Sequence, residues 1–185
     1  MGSVVGVCAS RKPFPSIVLE NAWRFAGART VLDVGAGDGR FAKFFLSRFD
    51  LDEYVAVEPD GRLVARLVRG LSGAERRALA AIRALWEDVR WSLLRRSYDV
   101  VVLWDVVMFM DLRRVHGGSP LAAAIKELDA LVEAAGKYLL FSIHPCRRSV
   151  LDGRESRAAL RYLDEHPRLR PVGKRYLNRI YAKAA

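Results

Sequence analysis

The segment Val31–Arg40, which reads VLDVGAGDGR, places the tightest constraint on the fold. The apolar run Thr30–Val34 has the branched side chains of a buried strand, and three alternate glycines follow it directly. The next residues predict a helix that begins near Asp38 and buries phenylalanines spaced three and four residues apart, namely Phe41, Phe44, Phe45 and Phe49. A strand, a glycine-rich turn and a helix in this order are typical of an α/β domain that brings backbone close to a ligand.

Strands and helices continue to alternate along the rest of the chain. Further strands are predicted at Tyr54–Glu58, Ala84–Trp86, Asp99–Leu103 and Lys137–Ile143, with two short ones about Gly173 in the tail Arg170–Ala184. Helices are predicted at Ser16–Ala26, at about 63–71, at Ala74–Ala84, from Ser119 to Ala135 with Gly136 as its stop, and at Glu155–Glu165. We therefore expect one doubly wound α/β domain over residues 1–185, with 1–29 as an N-terminal helical extension and 30–185 as the core.

The composition indicates an ordinary globular protein. Hydrophobic residues make up 51% of the chain and charged residues 28%, which is enough apolar surface for a core. The two cysteines, Cys8 and Cys146, form neither a disulfide framework nor a zinc site, so we expect a reducing, cytoplasmic compartment and no metal. The longest apolar run, Val100–Met110, is interrupted by Asp105 and is too short to span a membrane, so no membrane association is expected.

The charge is strongly basic. The formal net charge is +10, and all but six of the 31 basic residues are arginine. Such a balance points to a polyanion such as RNA or DNA, although genomic base composition or adaptation to heat also produces it. Arginines occur as pairs in three predicted loops, namely Arg95–Arg96, Arg113–Arg114 and Arg147–Arg148. They would form a phosphate-binding surface if the loops share one rim of the sheet, and are otherwise three solvated turns.

Acidic side chains surround the glycine-rich turn. Asp33 ends the strand and Asp38 lies in the turn, so two carboxylates flank the place where a dinucleotide pyrophosphate would bind. A ligand with a cationic head suits that field better. Glu58, 25 residues after Asp33, ends the next strand and can accept hydrogen bonds from ribose hydroxyls. The Glu87-Asp88 pair offers an acceptor for an adenine amino group, or is simply a turn.

Together, VLDVGAGDGR, YVAVEPD, the acidic pair and YDVVVLWDV resemble the class I S-adenosylmethionine-dependent methyltransferase family over about Val31–Asp111. The resemblance implies a Rossmann-like sheet of seven strands, mostly parallel, with an antiparallel C-terminal strand that a hairpin about Gly173 would supply. It implies S-adenosylmethionine as cofactor, bound by Asp33, Gly35, Ala36, Gly37, Glu58, Pro59, Glu87, Asp88 and Trp104. Of these, Asp33, Gly35 and Gly37 would face the methionine part, Glu58 the ribose, Asp88 the adenine and Trp104 the transferable methyl.

Catalytic residues are expected after the fourth and fifth strands, at the ligand edge of the sheet. The Asn/Asp-Pro-Pro-aromatic motif of the family members that methylate exocyclic amines or glutamine is absent after Trp104, so such acceptors are disfavoured. Asp105 and His144 are the candidates for a general base, although Asp105 could instead bind its own loop and His144 could be structural. His116 is a weaker candidate, and Met108–Met110 is better suited to the core or to a pocket wall than to specific recognition.

These patterns favour a methyltransferase that acts on a macromolecule, with RNA ahead of protein. The basic charge and the lack of length for a lid over a small-molecule pocket support this interpretation. Two alternatives remain open. One is a small-molecule methyltransferase that uses the apolar segment Val106–Met110 as a pocket, and the other is a non-catalytic RNA-binding module on the same fold. The acids Asp33 and Asp38 disfavour a nucleotide-dependent dehydrogenase.

Overall fold

A computed structural model describes residues 14–107, 110, 112–144 and 149–184. A seven-stranded sheet forms its centre. The strands are β1 Thr30–Val34, β2 Glu53–Val57, β3 Leu79–Ile82, β4 Tyr98–Trp104, β5 Ala135–Ser142, β6 Leu169–Arg175 and β7 Asn178–Lys183. Their order in the sheet is β3-β2-β1-β4-β5-β7-β6. The first five run parallel to one another, and β7 is antiparallel to both of its neighbours. The predicted Rossmann-like sheet with an antiparallel C-terminal strand is confirmed.

Helices cover both faces of this sheet. They are α1 Ser16–Glu20, a 3-10 turn at Ala22–Phe25, α2 Arg40–Arg48, α3 Gly61–Arg69, α4 Gly73–Arg76, α5 Trp86–Leu93, α6 Arg113–His116, α7 Pro120–Ala134 and α8 Gly153–Asp164. Successive residues of a strand point to opposite faces, so Val31 packs with α1, α2 and α3 whereas Leu32 packs with α5, α7 and α8. Both faces of β1 are therefore buried, as its predominantly apolar sequence predicts.

Two predicted helices are wrong in extent. The N-terminal helix stops after Glu20, because the Asn21 side chain donates a hydrogen bond to the Ile17 carbonyl and the chain continues as a 3-10 turn. The helix predicted at Ala74–Ala84 ends at Arg76, and its alanine-rich second half forms the edge strand β3 against β2. Pairing with the sheet therefore overrides helix propensity. The strand predicted at Ala84–Trp86 is also wrong, since Trp86 begins α5.

Two glycines do not have the predicted roles. The C-terminal hairpin turns at Tyr176, which has a φ of +58°, and not at Gly173. Gly173 lies inside β6 at an irregularity of the register, where a Cβ would come within 3.2 Å of the Asn21 amide. Gly136 does not end α7, which stops at Ala134, but is the second residue of β5.

The strand order determines where a ligand site can form. The chain leaves β1 towards β2 on one side and later returns to β4 on the other, so the order reverses between β1 and β4. Open parallel sheets bind ligands outside the carboxyl ends of the strands at such a point. Asp33, Glu58, Asp105 and His144 all lie at or just beyond strand ends on this edge. Among the described residues, no helix is long and apolar enough to cross a membrane.

Candidate active site

The glycine-rich turn closes tightly at the end of β1. Gly35, Gly37 and Gly39 have φ angles of +74°, +58° and +85°, a conformation that glycine adopts without steric cost. The backbone N–H groups of Gly35 and Ala36 both donate to the Val57 carbonyl, at 2.8 and 3.0 Å, which holds the turn against β2. The turn therefore has a defined shape, and Gly39 leads directly into α2.

The three glycines differ in what lies beside them. A Cβ on Gly35 would lie 2.3 Å from a Val106 methyl carbon, and one on Gly39 would lie 2.6 Å from Leu67 Cγ. Glycine is therefore needed at positions 35 and 39, because a side chain there would overlap a closely packed neighbour. A Cβ on Gly37 would meet nothing nearer than 4.0 Å, so this residue borders open space. Gly37 is therefore the point of the turn where a ligand can approach the backbone.

Asp33 is buried at the end of β1, with 2% of its surface exposed. The Tyr54 hydroxyl, on β2, donates a hydrogen bond of 2.5 Å to its carboxylate. Burial raises the pKa of Asp33 to about 7, the Tyr54 hydrogen bond opposes that rise, and the nearby Glu58 charge adds to it. The side chain predicted to face the methionine part of a cofactor thus points to Tyr54 and titrates near neutral pH.

Glu58 links the glycine-rich turn to the start of α3. Its Oε2 accepts a hydrogen bond from the Gly37 N–H and its Oε1 accepts one from the Asp60 N–H, both at 2.9 Å. Burial raises its pKa, against the opposite effect of these two N–H groups. Pro59, between Glu58 and the α3 cap residue Asp60, is partly buried. A carboxylate in this position suits a ligand with hydrogen-bond donors such as hydroxyls, and repels an anion.

The remaining predicted cofactor residues lie on neighbouring elements. Glu87 and Asp88 occupy the first turn of α5, which follows β3, so they belong to a helix and not to a turn. Glu87 is partly buried and Asp88 is exposed. Trp104, at the end of β4, is partly buried with its ring centroid 5.2 Å from that of Phe41. These positions lie on either side of the glycine-rich turn along the same edge of the sheet.

Asp105 and His144, which are 39 residues apart, meet beyond the ends of β4 and β5. His144 Nδ1 lies 2.7 Å from Asp105 Oδ1. Asp105 has a φ of +57°, unusual for a residue with a side chain, and its N–H donates to the Ser142 carbonyl. Ser142 Oγ lies 2.6 Å from Asp105 Oδ1 and 2.9 Å from Asn178 Oδ1. The two candidate bases therefore form one cluster with Ser142 and Asn178.

The hydrogen-bond directions in this cluster follow from the number of hydrogens. Ser142 has one hydroxyl hydrogen and cannot donate to both Asp105 and Asn178. Turning the Asn178 amide lets its Nδ2 donate to Ser142 Oγ, which then donates to Asp105. Asp105 also accepts from His144 Nδ1, so the proton-free nitrogen of a neutral imidazole is Nε2. Both the His144 and Asp105 side chains are 30% exposed, so the pair is partly open to solvent.

Sequence reasoning missed Ser142 and Asn178 as members of the site. Neither residue belongs to a recognisable motif. The register supplies the missing information, because Ser142 at the end of β5 pairs with Asn178 at the start of the antiparallel strand β7. An antiparallel last strand necessarily begins at the edge where the parallel strands end. That rule could have identified the first residues of β7 as candidates, once the turn was placed at Tyr176.

Other candidates lie away from this edge or serve the scaffold. His116 Nε2 lies 2.6 Å from Glu127, a buried carboxylate that also binds Arg90 and the Trp86 indole. The network joins α5, α6 and α7. Arg95–Arg96 precedes β4 and thus lies at the opposite edge from Arg113–Arg114, which follows β4, so these two pairs do not share one rim. Cys146, Arg147–Arg148 and Met108–Phe109 are outside the described residues.

Comparison with known proteins supports the fold. No protein-family model and no curated protein matches the sequence. Solved structures do match. Magnesium protoporphyrin IX methyltransferase ChlM from Synechocystis PCC 6803, with bound SAM, is 17% identical over 92% of this chain and 76% of its own, with a TM-score of 0.57.

Two further structures cover nearly the whole chain. The N-methyltransferase NodS from Bradyrhizobium japonicum WM9 is 14% identical over 92% of this chain and 94% of its own, with a TM-score of 0.61. A Clostridium thermocellum protein proposed to be an rRNA methylase is 8% identical over 94% and 99%, with a TM-score of 0.64. The chain therefore has the seven-stranded fold of class I methyltransferases.

Proposed function

We propose that the protein is an S-adenosylmethionine-dependent methyltransferase. The observation that carries this proposal is the junction of β1 and β2, where Glu58 accepts the Gly37 N–H next to open space. The Glu58 carboxylate already accepts the Gly37 N–H, a backbone donor that a pyrophosphate would need. Asp33 lies close enough to Glu58 for the two charges to interact. An adenosyl ligand with a cationic head fits these acids, whereas a dinucleotide does not. The bound SAM of the similar structure ChlM supports the same ligand.

The predicted cofactor residues receive specific roles in this proposal. Gly35, Ala36 and Gly37 would border the methionine part, and the Glu58–Pro59 segment the ribose. Glu87 and Asp88, at the start of α5, would border the adenine, and Trp104 the methyl group. When bound, the sulfonium cofactor supplies an activated methyl group whose transfer breaks the bond to sulfur and leaves the electron pair there.

The Asp105–His144 pair supplies the base in this proposal. The acceptor atom must lose a proton as it forms its bond to the methyl carbon, unless it is already deprotonated. His144 Nε2 accepts that proton, while Asp105 holds the ring through Nδ1 and stabilises the imidazolium that results. Ser142 and Asn178 hold Asp105 in turn. A hydroxyl acceptor fits this arrangement better than an amine that is already nucleophilic.

RNA is the acceptor class that we favour. The formal net charge of +10 supports a polyanionic substrate. A small-molecule acceptor is the second candidate, because the residue before His144 lines a depression of about 220 Å³. The lining residues are Ile143, Gly153, Ser156, Arg157, Tyr176 and Leu177. Pockets for drug-sized ligands are typically larger, about 300–1,000 Å³. The depression therefore suits one nucleoside of a larger substrate better than a whole metabolite.

Calorimetry on Gly37→Arg tests the cofactor site. The arginine would fill the open space beside Gly37, so we expect binding of S-adenosylmethionine to be lost. Gly117→Arg is a matched control, because Gly117 also has a positive φ, of +66°, and no neighbour within 4 Å of a Cβ. Wild-type protein that binds no S-adenosylmethionine would exclude the function, as would equal binding by wild type and Gly37→Arg.

Labelling with radioactive S-adenosylmethionine tests the reaction and its acceptor. Purified protein is added to extract of a deletion strain, and the label is sorted among RNA, protein and small molecules. We expect the label in RNA, and label confined to small molecules would favour the second candidate. With the acceptor identified, His144→Asn should lower kcat about 10²- to 10⁴-fold. His166→Asn is the control, since His166 also contacts an aspartate, Asp129, but beyond the far end of α8.

A further inference from the structure

A basic surface runs along the edge of the sheet that β3 forms. Residues 61–85 contain six arginines, no lysine and one acid, Glu75, so this short stretch carries a net charge of +5, half that of the chain. All six arginines are exposed. We call this set the β3-edge arginines, and it comprises Arg62, Arg66, Arg69, Arg76, Arg77 and Arg83.

The helix geometry aligns three of them. Arg62, Arg66 and Arg69 are spaced four and three residues apart, so they form a single stripe along the exposed face of α3. Leu67, between them in sequence, faces the core. The Arg83 side chain lies across the start of α3, where a Cβ on Gly61 would come within 2.8 Å of Arg83 Nε. The stripe therefore begins beside Arg83, which follows β3 at the ligand edge of the sheet, and runs along α3 away from that edge.

These guanidinium groups are without an ion pair in the part of the chain that the structure describes. Among the described residues, no carboxylate lies within the 4.0 Å of an ion pair from any β3-edge arginine, whereas Arg29, Arg96, Arg168 and Arg175 each have such a partner. The one acid of the stretch, Glu75, is already taken, because Lys43 Nζ lies 2.8 Å from its carboxylate. An aligned set of unpaired positive charges repels itself and costs stability, and an external anion would remove that cost.

We infer that the β3-edge arginines bind the phosphate backbone of RNA beside the β3 end of the ligand edge, an inference that rests on the proposed function. Arginine contacts phosphate through two parallel N–H groups, which suits a row of phosphates. Within residues 61–85, all of them described, Leu85 is the one large apolar side chain that is mostly exposed. The surface therefore lacks the apolar anchors that a protein partner or a membrane would bury.

The distance to the candidate base sets the size of the RNA. Four strand spacings separate β3 from β5 in the sheet, which is about 19 Å at about 4.8 Å each. That span corresponds to about six base pairs at the 3.4 Å rise of a B-form duplex, and to about seven in the A-form helix of RNA. An RNA that contacts Arg83 can therefore place a nucleotide near His144 only if it extends at least this far along the edge.

Charge reversal on two matched helices tests the inference. The test variant is Arg62→Glu/Arg69→Glu on α3, and the control is Arg154→Glu/Arg161→Glu on α8. Both helices begin with glycine after an aspartate cap, and both substitutions fall on their second and ninth residues. All four arginines are exposed, so the two variants have the same net charge and comparable helix effects. Binding of a labelled RNA hairpin is measured by anisotropy between about 50 and 200 mM salt.

We expect the test variant to bind RNA at least about tenfold more weakly at low salt, with a slope of log K against log salt that is smaller by about 1.8. That slope change corresponds to the loss of two phosphate contacts on a duplex at about 0.9 each. The control should change the slope by less than half as much. Equal losses in the two variants would mean that net charge alone determines binding, and would overturn the inference.

Two other results would also overturn it. One is wild-type protein that binds no RNA at low salt. The other is wild-type protein that binds phosphatidylserine vesicles or polyglutamate more tightly than RNA, if the test variant also loses that binding. Calorimetry with S-adenosylmethionine on the same variants separates this inference from the proposed function. If the wild type does not bind the cofactor, the proposed function is wrong. If cofactor binding persists while the two variants lose RNA binding equally, only the role of the β3-edge arginines is wrong.

Discussion

Replacing Asp33 with asparagine tests whether the carboxyl group at the end of β1 is buried as the structure places it. Asparagine keeps the size of the side chain and an oxygen that can accept the Tyr54 hydroxyl hydrogen. It removes only the ability to ionise. Because burial raises the pKa of Asp33 from an ordinary 3.8 to about 7, the wild-type protein carries a pH-dependent cost that the variant lacks.

The sign and size of this cost follow from proton linkage. Between pH 3.8 and pH 7, the folded protein holds a proton on Asp33 that the unfolded chain has lost, so the free energy of unfolding falls as pH rises. Each pH unit changes it by about 1.4 kcal/mol. From about pH 5 to above pH 7, the wild type should therefore lose about 3 kcal/mol relative to Asp33→Asn.

Urea unfolding of both proteins at about pH 5, 6, 7 and 8 measures this difference. The quantity of interest is the wild-type value minus the variant value at each pH, because ionisation elsewhere then cancels. Asp38→Asn controls for the loss of one negative charge at an exposed position of the same turn. A difference between wild type and Asp33→Asn that stays constant over this range would refute the argument, since Asp33 would then be solvated in the folded protein.

Three further predictions concern packing, charge and ligand binding. Gly35→Ala should lower the free energy of unfolding by about 2–3 kcal/mol in urea titrations. Adding Val106→Ala should restore the stability lost to the 2.3 Å contact, but not the stability lost to the positive φ of residue 35. Glu127→Gln should lower the free energy of unfolding by about 3–5 kcal/mol, because it leaves the Arg90 charge buried without its partner. Replacing both residues with leucine should lower it by less, and equal losses in the two variants would contradict this reasoning. Glu58→Gln should weaken S-adenosylmethionine binding about 10- to 100-fold by calorimetry, and unchanged affinity would remove Glu58 from the site.

The local part of the fold could be predicted because it depends on residues that are close in sequence. The glycine-rich turn required backbone angles that its three alternate glycines allow, and the apolar run before it has the pattern of a buried strand. The predictions failed where a distant contact overrides a local preference. The alanine-rich segment that forms β3 has helix propensity, but it pairs with β2, and Gly173 lies in a strand although glycine favours turns.

The sequence by itself identified Asp33, Glu58, Asp105 and His144 as candidates, since each lies at or just beyond the end of an apolar strand. Only the tertiary structure decided how they meet. It turns Asp33 towards Tyr54, joins Asp105 to His144 across 39 residues, and adds Asn178 through the register of β7. These contacts depend on which strands are neighbours and on their direction and register, and those are properties of the packed sheet as a whole. Residues near in sequence do not specify them, because the packing of distant segments selects one strand order among many.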